Sequence, residues 1–558
     1  MARTVSIGAQ GFADIREHGD FYVDKTGFIG QWWKSSDPVT LICRPRRFGK
    51  TLNMSMLECF FSTAYCGRPD LFEGLVVWND RDLRAEQGVW PVVSLSFAGA
   101  KGASYDDIRL RICERIAQAW RSHAATIGTC GLAPSEQDLL SGRSTAVAAA
   151  DAPSSLLRLC ELLYQATGKR AIVLLDEYDT PMQEAWMGGF WDDLVEFIRS
   201  LFNNTFKTNP FLQRAVLTGI TRVSRESIFS DLNNLAVVTT TTEQYEDCFG
   251  FTEQETFAAM DEMGLTECAQ VKDWYDGFSF GRMTDIYNPW SITNYLKYGK
   301  TEPYWANTSS NALASKLVRE GDPQIKEDFE ALLQGGCIKK ALDEQVAFGE
   351  LGGKPGAIWA LLLANGYLKV VSRQSEAFGA TYELALTNRE VKLSFDTMVR
   401  GWFERSASYY NGFVQALLAA DIDAMNAYMN DVALDTFSLF DAGTRPAERE
   451  PERFYHGFVL GLLVELRGRY LVTSNRESGY GRYDVMLEPL DPAGDDAIVI
   501  EFKVFNPQRE ASLEETVASA KAQIAEKRYA AQLEARGIRR EQIRAYGFAF
   551  QGKRVLIG

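Results

Sequence analysis

Short apolar runs that stop abruptly at charged residues recur along this chain, and they predict buried strands whose ends carry chemistry. Val39 to Cys43 is one such run, and it breaks into Arg44, Pro45, Arg46, Arg47, Phe48, Gly49, Lys50 and Thr51. Beyond it, Met54, Met56, Leu57, Phe60 and Phe61 fall at mostly helical spacing, so Leu52 to Ala64 reads as a helix with a core-facing stripe. Trp90 to Phe97 alternates like a strand, and Tyr105 to His123 reads as helix. Residues 124–153, rich in Gly, Ala, Ser and Thr, read as an insertion or surface excursion. A helix from Ser154 to Thr167 ends at Gly168. Ala171 to Leu175 is then apolar throughout and is followed at once by Asp176 and Glu177. That is the pattern of a buried parallel strand presenting two carboxylates at its carboxyl end, the edge where open α/β sheets bind ligands. A further strand, Gln213 to Ile220, closes on Thr218, Thr221 and Arg222.

Elsewhere the pattern predicts elements with less chemistry. FYVDKT, at residues 21–26, reads as a strand running into a helix capped by Asp24 or Thr26, with a nucleotide-base contact as the alternative. Thr252 and Glu255 form a capping box before an apolar helix. Tyr275 to Trp290 is aromatic and Gly-rich, and Trp359 to Val371 reads as helix, Gly turn and strand. Asn411 to Ala433 reads as a linker helix or helix pair, and the Pro, Gly and charge content of residues 441–451 marks a boundary. After an apolar helix at residues 453–466 come strands at Tyr470 to Ser474 and at Tyr483 to Leu487, the latter carrying Asp484. In the last strong run, Ala497 to Phe505, Glu501 and Lys503 are one residue apart and so project from the same face of a strand. Two charges among so many Val, Ile and Phe neighbours need a reason, because unpaired burial is costly. A Glu-Lys pair on a sheet edge would be the plain explanation.

Composition narrows the chemistry. At 558 residues the chain exceeds one core, and about 3 to 4 domains is the expectation from length. A formal net charge of -15 excludes a surface coated for nonspecific nucleic-acid binding. Residues 521–558 nevertheless carry nine Lys or Arg against three Glu, either a solvated helix face or a phosphate-contacting patch. The nine Cys include no C-x-x-C pair, which argues against a zinc ribbon or disulfide framework and fits a reducing compartment. Three His leave little room for imidazole-based zinc chemistry. Carboxylates with a hard cation such as Mg2+ are what remains. With no signal peptide and no membrane-length apolar run, a cytoplasmic protein is expected.

The loop after the first strand has the layout of a phosphate cradle. Backbone N–H groups at the helix start, Lys50 and the Thr51 hydroxyl would hold triphosphate oxygens and Mg2+. The pattern G-x-x-x-x-G-K-[ST] would place its first Gly at residue 44, where this chain has Arg44; on GKT alone, an exposed basic loop is an equal reading. Asp176 and Glu177 change that balance, since Asp176 can hold Mg2+ and Glu177 can polarise an attacking water.

RPRRFGKT, LLDEYDTP, LTGITRVSRESIFSDLNNL and FGFTEQE, together with FYVDKT, resemble the prokaryotic AAA-ATPase-like family over most of residues 5 to 300. That family is similar to this chain in opening its loop with a basic PRR segment in place of the first Gly. The resemblance implies ATP and Mg2+ as cofactors, with Arg46, Arg47, Phe48, Gly49, Lys50, Thr51 and Asp176 around the nucleotide. In ATPases of the AAA+ and STAND type, a residue placed like Thr218 senses the γ-phosphate. Arg222 or Arg225 would neutralise charge in cis, or in trans within a homo-oligomer. Many members carry a C-terminal nuclease-like domain. Here Asp484, Glu501 and Lys503, with Gln523 and Tyr529 as a Q-x5-Y element and Glu452 as the acidic residue of the first helix, resemble the PD-(D/E)XK pattern. This implies the fold and a metal-dependent site; whether it cuts DNA, RNA or nothing does not carry over, and the expected partner is nucleic acid, DNA rather than RNA.

The expected fold is therefore α/β and multidomain. Residues 1–245 would form an AAA+/STAND-like P-loop domain on a parallel sheet, 246–440 a helical lid with winged-helix-like parts, and 441–558 a restriction-endonuclease-like α/β domain. The expected function is an ATPase whose nucleotide state controls a nuclease in a bacterial setting such as defence against foreign DNA. The alternatives are a slow signalling or scaffold switch whose C-terminal domain binds without cutting, and a repair or mobile-element enzyme.

Overall fold

A computed structural model of the chain describes residues 3–222, 228, 229, 232–305, 323–342, 356–376, 379–404, 407–437, 459, 463, 466, 468–474, 477, 478, 481, 482, 484–492, 494–507, 509–527, 529–551 and 554–558. It divides into two compact units, one of Met1–Leu317 with Ala331–Ser394 and one of Val318–Glu330 with Phe395–Gly558.

The first unit is built on a five-stranded, all-parallel sheet of β1 (Val39–Cys43), β2 (Val92–Ser96), β3 (Ala171–Asp176), β4 (Leu212–Gly219) and β5 (Leu235–Val238). Its order is β2-β3-β4-β1-β5, so β4 is inserted between β1 and β3. All residues of β1 and β3 are buried, as the continuous apolar runs predict for strands covered on both faces. Helices Tyr105–Ser122, Ala152–Thr167 and Trp191–Phe202 pack their apolar stripes into the same core as β1 and β3. Residues 124–153 are not a loose excursion. They form helices Ala124–Ile127 and Pro134–Leu140, and Ile127, Leu139 and Val147 are buried in that core.

FYVDKT is extended chain without a strand partner, and its polar residues are structural. Asp24 accepts from the N–H and hydroxyl of Thr26 at the start of helix Gly27–Ser35, and from the Val76 N–H. Lys25 is buried and reaches both carboxylate oxygens of Glu255 and the Asp247 carbonyl at 2.7–2.8 Å. These are contacts within the fold.

Downstream of the parallel sheet the first unit carries two three-stranded antiparallel sheets. One joins β6 (Phe251–Thr252), β7 (Phe278–Phe280) and β8 (Met283–Tyr287) in the order β6-β8-β7. Helix Glu253–Glu262 begins with the expected capping box, Thr252 and Glu255 each bonding the other's backbone N–H. The other joins β9 (Ile338–Ala341), β10 (Leu368–Glu376) and β11 (Gly379–Leu386), with helix Ala357–Ala364 leading into β10 as expected.

In the second unit, helices Ala407–Ala419 and Ile422–Phe437 form the expected pair. The unit's sheet contains β12 (Tyr470–Ser474), while β13 (Glu477–Ser478) and β14 (Gly481–Arg482) form a separate two-stranded ribbon. β15 (Val485–Pro489), β16 (Ala497–Val504), β17 (Ile543–Gln551) and β18 (Arg554–Ile557) complete the larger sheet in the order β12-β15-β16-β17-β18. Only β16 and β17 run parallel in it. Among the described residues no helix is long and apolar enough to cross a membrane. The expected boundary at 441–451, the helix at 453–466 apart from residues 459, 463 and 466, Glu452 and Arg225 lie outside the described residues.

Candidate functional site

The first site grows from the carboxyl ends of three neighbouring strands. Register pairs Ile42 with Thr218 and Leu175 with Leu217, so inserting β4 brings the ends of β1, β3 and β4 side by side. Asp176 sits where they meet. Its Oδ2 accepts from the Thr51 hydroxyl at 2.7 Å, and its Oδ1 accepts from the Thr218 hydroxyl and, at 3.1 Å, from the Glu177 N–H. One carboxylate thus joins the loop, the acidic strand and the third strand. Glu177 has φ 51, an uncommon backbone state for a non-Gly residue, and its carboxylate accepts from the Thr180 hydroxyl.

The loop itself resolves the missing first Gly. Arg44 does not adopt a left-handed backbone; the loop's positive φ values fall at Arg47 (68) and Gly49 (78). The Arg44 side chain is fully buried, donating to the carbonyls of Cys43, Thr239 and Tyr245 and lying 4.4 Å from the Phe280 ring centroid. Burial pulls its guanidinium down to about 10. The residue at this position is therefore an anchor, and the loop opens differently from the consensus.

Lys50 opens helix Lys50–Phe61, and its ammonium turns back to the carbonyls of Arg44 at 2.8 Å and Pro45 at 2.7 Å. Burial lowers its pKa, while Asp176, Asp179 and Glu177 act in the opposite direction. Arg46 reaches toward Gln183 at 3.4 Å, and Arg47 is exposed except for its guanidinium over the Trp290 ring at 4.3 Å. The Phe48 ring is buried against Phe278 and Phe280, so only its backbone is available to a ligand. A Cβ placed on Gly49 would meet nothing within 4 Å, so the loop has open space beside the lysine. The donor set of hydroxyl, carboxylate and ammonium fits a phosphate with a hard cation.

Sequence reasoning missed Asp179. Buried to 1% exposure, it accepts from the N–H groups of Ile220 (2.9 Å) and Thr221 (3.0 Å) and from the Thr221 hydroxyl (3.2 Å). Tyr178 donates to the Thr221 carbonyl at 2.7 Å. Together they fix the turn that leads to Arg222, whose charge is felt at Cys43. The signal was a second Asp in LLDEYDTP, three residues past the first.

The second site lies in the other unit. β16 is an inner strand, flanked by β15 and β17, so Glu501 and Lys503 do not sit on a sheet edge. Glu501 is 3% exposed and its Oε1 accepts from Gln523 Nε2, which also lies 3.3 Å from the Tyr529 hydroxyl. Its partner is thus Gln523 rather than Lys503, which removes the plain ion-pair explanation. Gln523 sits on helix Leu513–Glu526, whereas Tyr529 falls just beyond that helix instead of within it. Asp484 immediately precedes β15 rather than lying inside it, and its Oδ2 accepts from the Phe502 N–H at 2.8 Å. Burial pushes the Tyr529 phenol up, with Glu501 and Asp484 adding to the rise, so both carboxylates are electrostatically close to it.

Register places Gly547 of β17 beside Glu501. A Cβ there would come within 2.8 Å of the Val517 carbonyl on the covering helix. The glycine lets that helix come close enough for Gln523 to reach the acid. Two carboxylates and a half-buried lysine suit a hard divalent ion next to a phosphodiester.

A third acidic group carries less. Glu253, Asp276 and Asp285 bring one oxygen each within 4.8 Å of one another. The Lys272 ammonium is already among them, paired with Glu253 and 3.2 Å from Asp285.

Comparison with known proteins matches two regions of the chain. Residues 6–229 match the AAA-ATPase-like family model, described as "Predicted AAA-ATPase", and residues 450–558 match that of the PD-(D/E)XK nuclease superfamily. A protein of Azotobacter chroococcum mcd 1, described as "Uncharacterized protein in vnfD 5'region", is 27% identical over 402 residues, covering 71% of this chain and 69% of that protein. Strands β1 to β4 of the parallel sheet with the loop, and the mixed sheet with its acid pair, fall inside the two matched regions, while β5 lies just past the first, and the chain accordingly carries an AAA-ATPase-like domain followed by a domain of the PD-(D/E)XK nuclease superfamily.

Proposed function

We propose that this protein binds and hydrolyses ATP and that its nucleotide state governs a divalent-metal-dependent nuclease acting on nucleic-acid phosphodiesters, DNA in preference to RNA. The observation that carries the reading is that Asp176 joins Thr51 of the loop to Thr218 of the third strand in a single hydrogen-bonded knot. A basic surface loop has no use for that arrangement.

In this reading Lys50 leaves the carbonyls of its own loop to hold phosphate oxygens. Thr51 and Asp176 hold Mg2+, which when bound neutralises charge on the phosphates. Glu177 orients a water and takes its proton, and Thr218 fixes the Asp176 rotamer. Arg222 faces the nucleotide in cis or from a second copy in a homo-oligomer. In the other unit Asp484 and Glu501 hold the metal. Lys503 orients water and offsets negative charge on the phosphate under attack, and Gln523 positions Glu501. The residues of 521–558 supply phosphate contacts beside the site.

The test is purified full-length protein on a panel of single-stranded DNA, double-stranded DNA and RNA, with and without Mg2+ and ATP. Metal-dependent cleavage of at least one substrate is expected. No cleavage of any of them under any of these conditions rejects the nuclease half.

A further inference from the structure

The family match for the nucleotide domain ends at residue 229, yet the phosphate loop is held by residues that come after it. The Arg44 side chain reaches the carbonyls of Thr239 and Tyr245 and lies over Phe280. The Arg46 carbonyl accepts from Asn288 Nδ2 at 3.3 Å and from Trp305 Nε1 at 3.2 Å. Arg47 rests on the Trp290 ring, and Phe48 packs against Phe278 and Phe280. Four of the five residues from 44 to 48 are thus gripped from 239–305, all within the first unit.

The grip is itself braced. Glu390, 1% exposed, accepts from the Trp305 N–H at 2.5 Å and from the Ser291 hydroxyl at 2.8 Å. Asn288 caps helix Pro289–Tyr298, its Oδ1 accepting from the N–H groups of Trp290 and Ser291 while its Nδ2 points to the loop. One buried carboxylate and one cap therefore hold both donors to the Arg46 carbonyl.

The consequence follows from peptide geometry. The C=O of one residue and the N–H of the next point opposite ways across a planar trans peptide. Fixing the Arg46 carbonyl against Asn288 and Trp305 turns the Arg47 N–H away from them. The Arg44 and Pro45 carbonyls are held by Lys50 from within the loop, so the Arg46–Arg47 peptide is the one oriented from beyond the matched region. Arg47 holds a positive φ that costs roughly 1 kcal/mol for a residue with a Cβ, which the loop would otherwise relax.

We propose that Asn288 and Trp305, braced by Glu390, are positioning residues for nucleotide binding, and that the phosphate loop is competent only while this downstream module grips it. The proposal rests on the nucleotide reading above.

Asn288→Ser is the cleaner variant, because Ser also caps a helix and keeps this fully buried position neutral, while its short side chain does not both cap the helix and reach the Arg46 carbonyl. Calorimetric titration of full-length protein with MgADP is expected to give wild-type binding and at least a fivefold weaker affinity for Asn288→Ser. The thermal midpoint should stay within about 2 °C, since the cap survives. Trp305→Phe, which keeps the ring and removes the donor, should weaken ADP in the same direction. If both variants bind ADP within twofold of wild type, the proposal is overturned. It is equally overturned if the loss of affinity comes only with a comparable loss of thermal stability. If wild-type protein binds no ADP, the nucleotide reading itself fails.

Discussion

The two sites are assembled in opposite ways. The proposed nucleotide site would gather Lys50, Thr51, Asp176, Thr218, Asn288 and Trp305 from more than 250 residues of chain, and most of their polar atoms already serve one another or the loop. The proposed PD-(D/E)XK site would take Glu501 and Lys503 from β16 and Asp484 from just before the adjoining β15, with Gln523 from the next helix. Among the described residues, Lys503 has no ion-pair partner. A site built from distant segments can be switched by moving one of them, because each contributes its own hydrogen bond. A site built on neighbouring strands and one covering helix offers fewer such handles. That contrast suits a controlling half and a cutting half.

The largest predicted effect lies in the cutting half. Lys503→Ala should lower metal-dependent cleavage by about 10²- to 10³-fold, the typical loss for one preorganised charge-stabilising group, while ADP affinity stays unchanged. Gel assays alongside calorimetry read both. A parallel drop in nucleotide affinity would break the separation of the sites.

Asp176→Asn should come next. It removes the charge to which Thr51 and Thr218 donate, so Mg-dependent affinity for ATP should fall by about tenfold or more, while metal-dependent cleavage without ATP persists. Gly547→Ala should destabilise the second unit by about 1–3 kcal/mol, because the added methyl meets the Val517 carbonyl at 2.8 Å and must push the helix carrying Gln523. Denaturant unfolding checks the stability. Cleavage should weaken as Gln523 retreats from Glu501.

The smallest effect concerns pH. Burial, with Asp285 nearby, raises the Asp276 carboxyl to about 6. Its folded pKa lies above the unfolded value, so the stability it contributes is full below about pH 4 and is lost as pH rises through about 6. The side chain is part-exposed and Lys272 is near, so the loss should be about 1 kcal/mol. Asp276→Asn should flatten the slope between those pH values in chemical denaturation. An unchanged slope would place the titration elsewhere.

Legibility in the sequence followed the same contrast. The strands were readable because five or six apolar residues ending in charges have few other folds. Glu501 and Lys503 were readable because one intervening residue puts them on the same strand face, and Asp484 joined them through the resemblance to the PD-(D/E)XK pattern. Lys50, Thr51 and Asp176 needed two motifs read jointly, and the structure then joined them by one hydrogen bond. Arg44 misled, because a charged residue where Gly was expected suggested strain, and only the distant Thr239, Tyr245 and Phe280 show that it is an anchor. Asn288 and Trp305 carried no readable signal beyond the Asn-Pro cap, since their use depends on a contact across some 240 residues. Tertiary contacts of that range leave no periodicity in the chain.

The central claim is that nucleotide state governs cleavage. The most direct measurement is the initial rate of nucleic-acid cleavage by full-length protein at fixed Mg2+, with and without saturating ATP, for wild type and Asp176→Asn. The account predicts that ATP changes the wild-type rate several-fold and leaves the Asp176→Asn rate unmoved. Equal wild-type rates with and without ATP would contradict it.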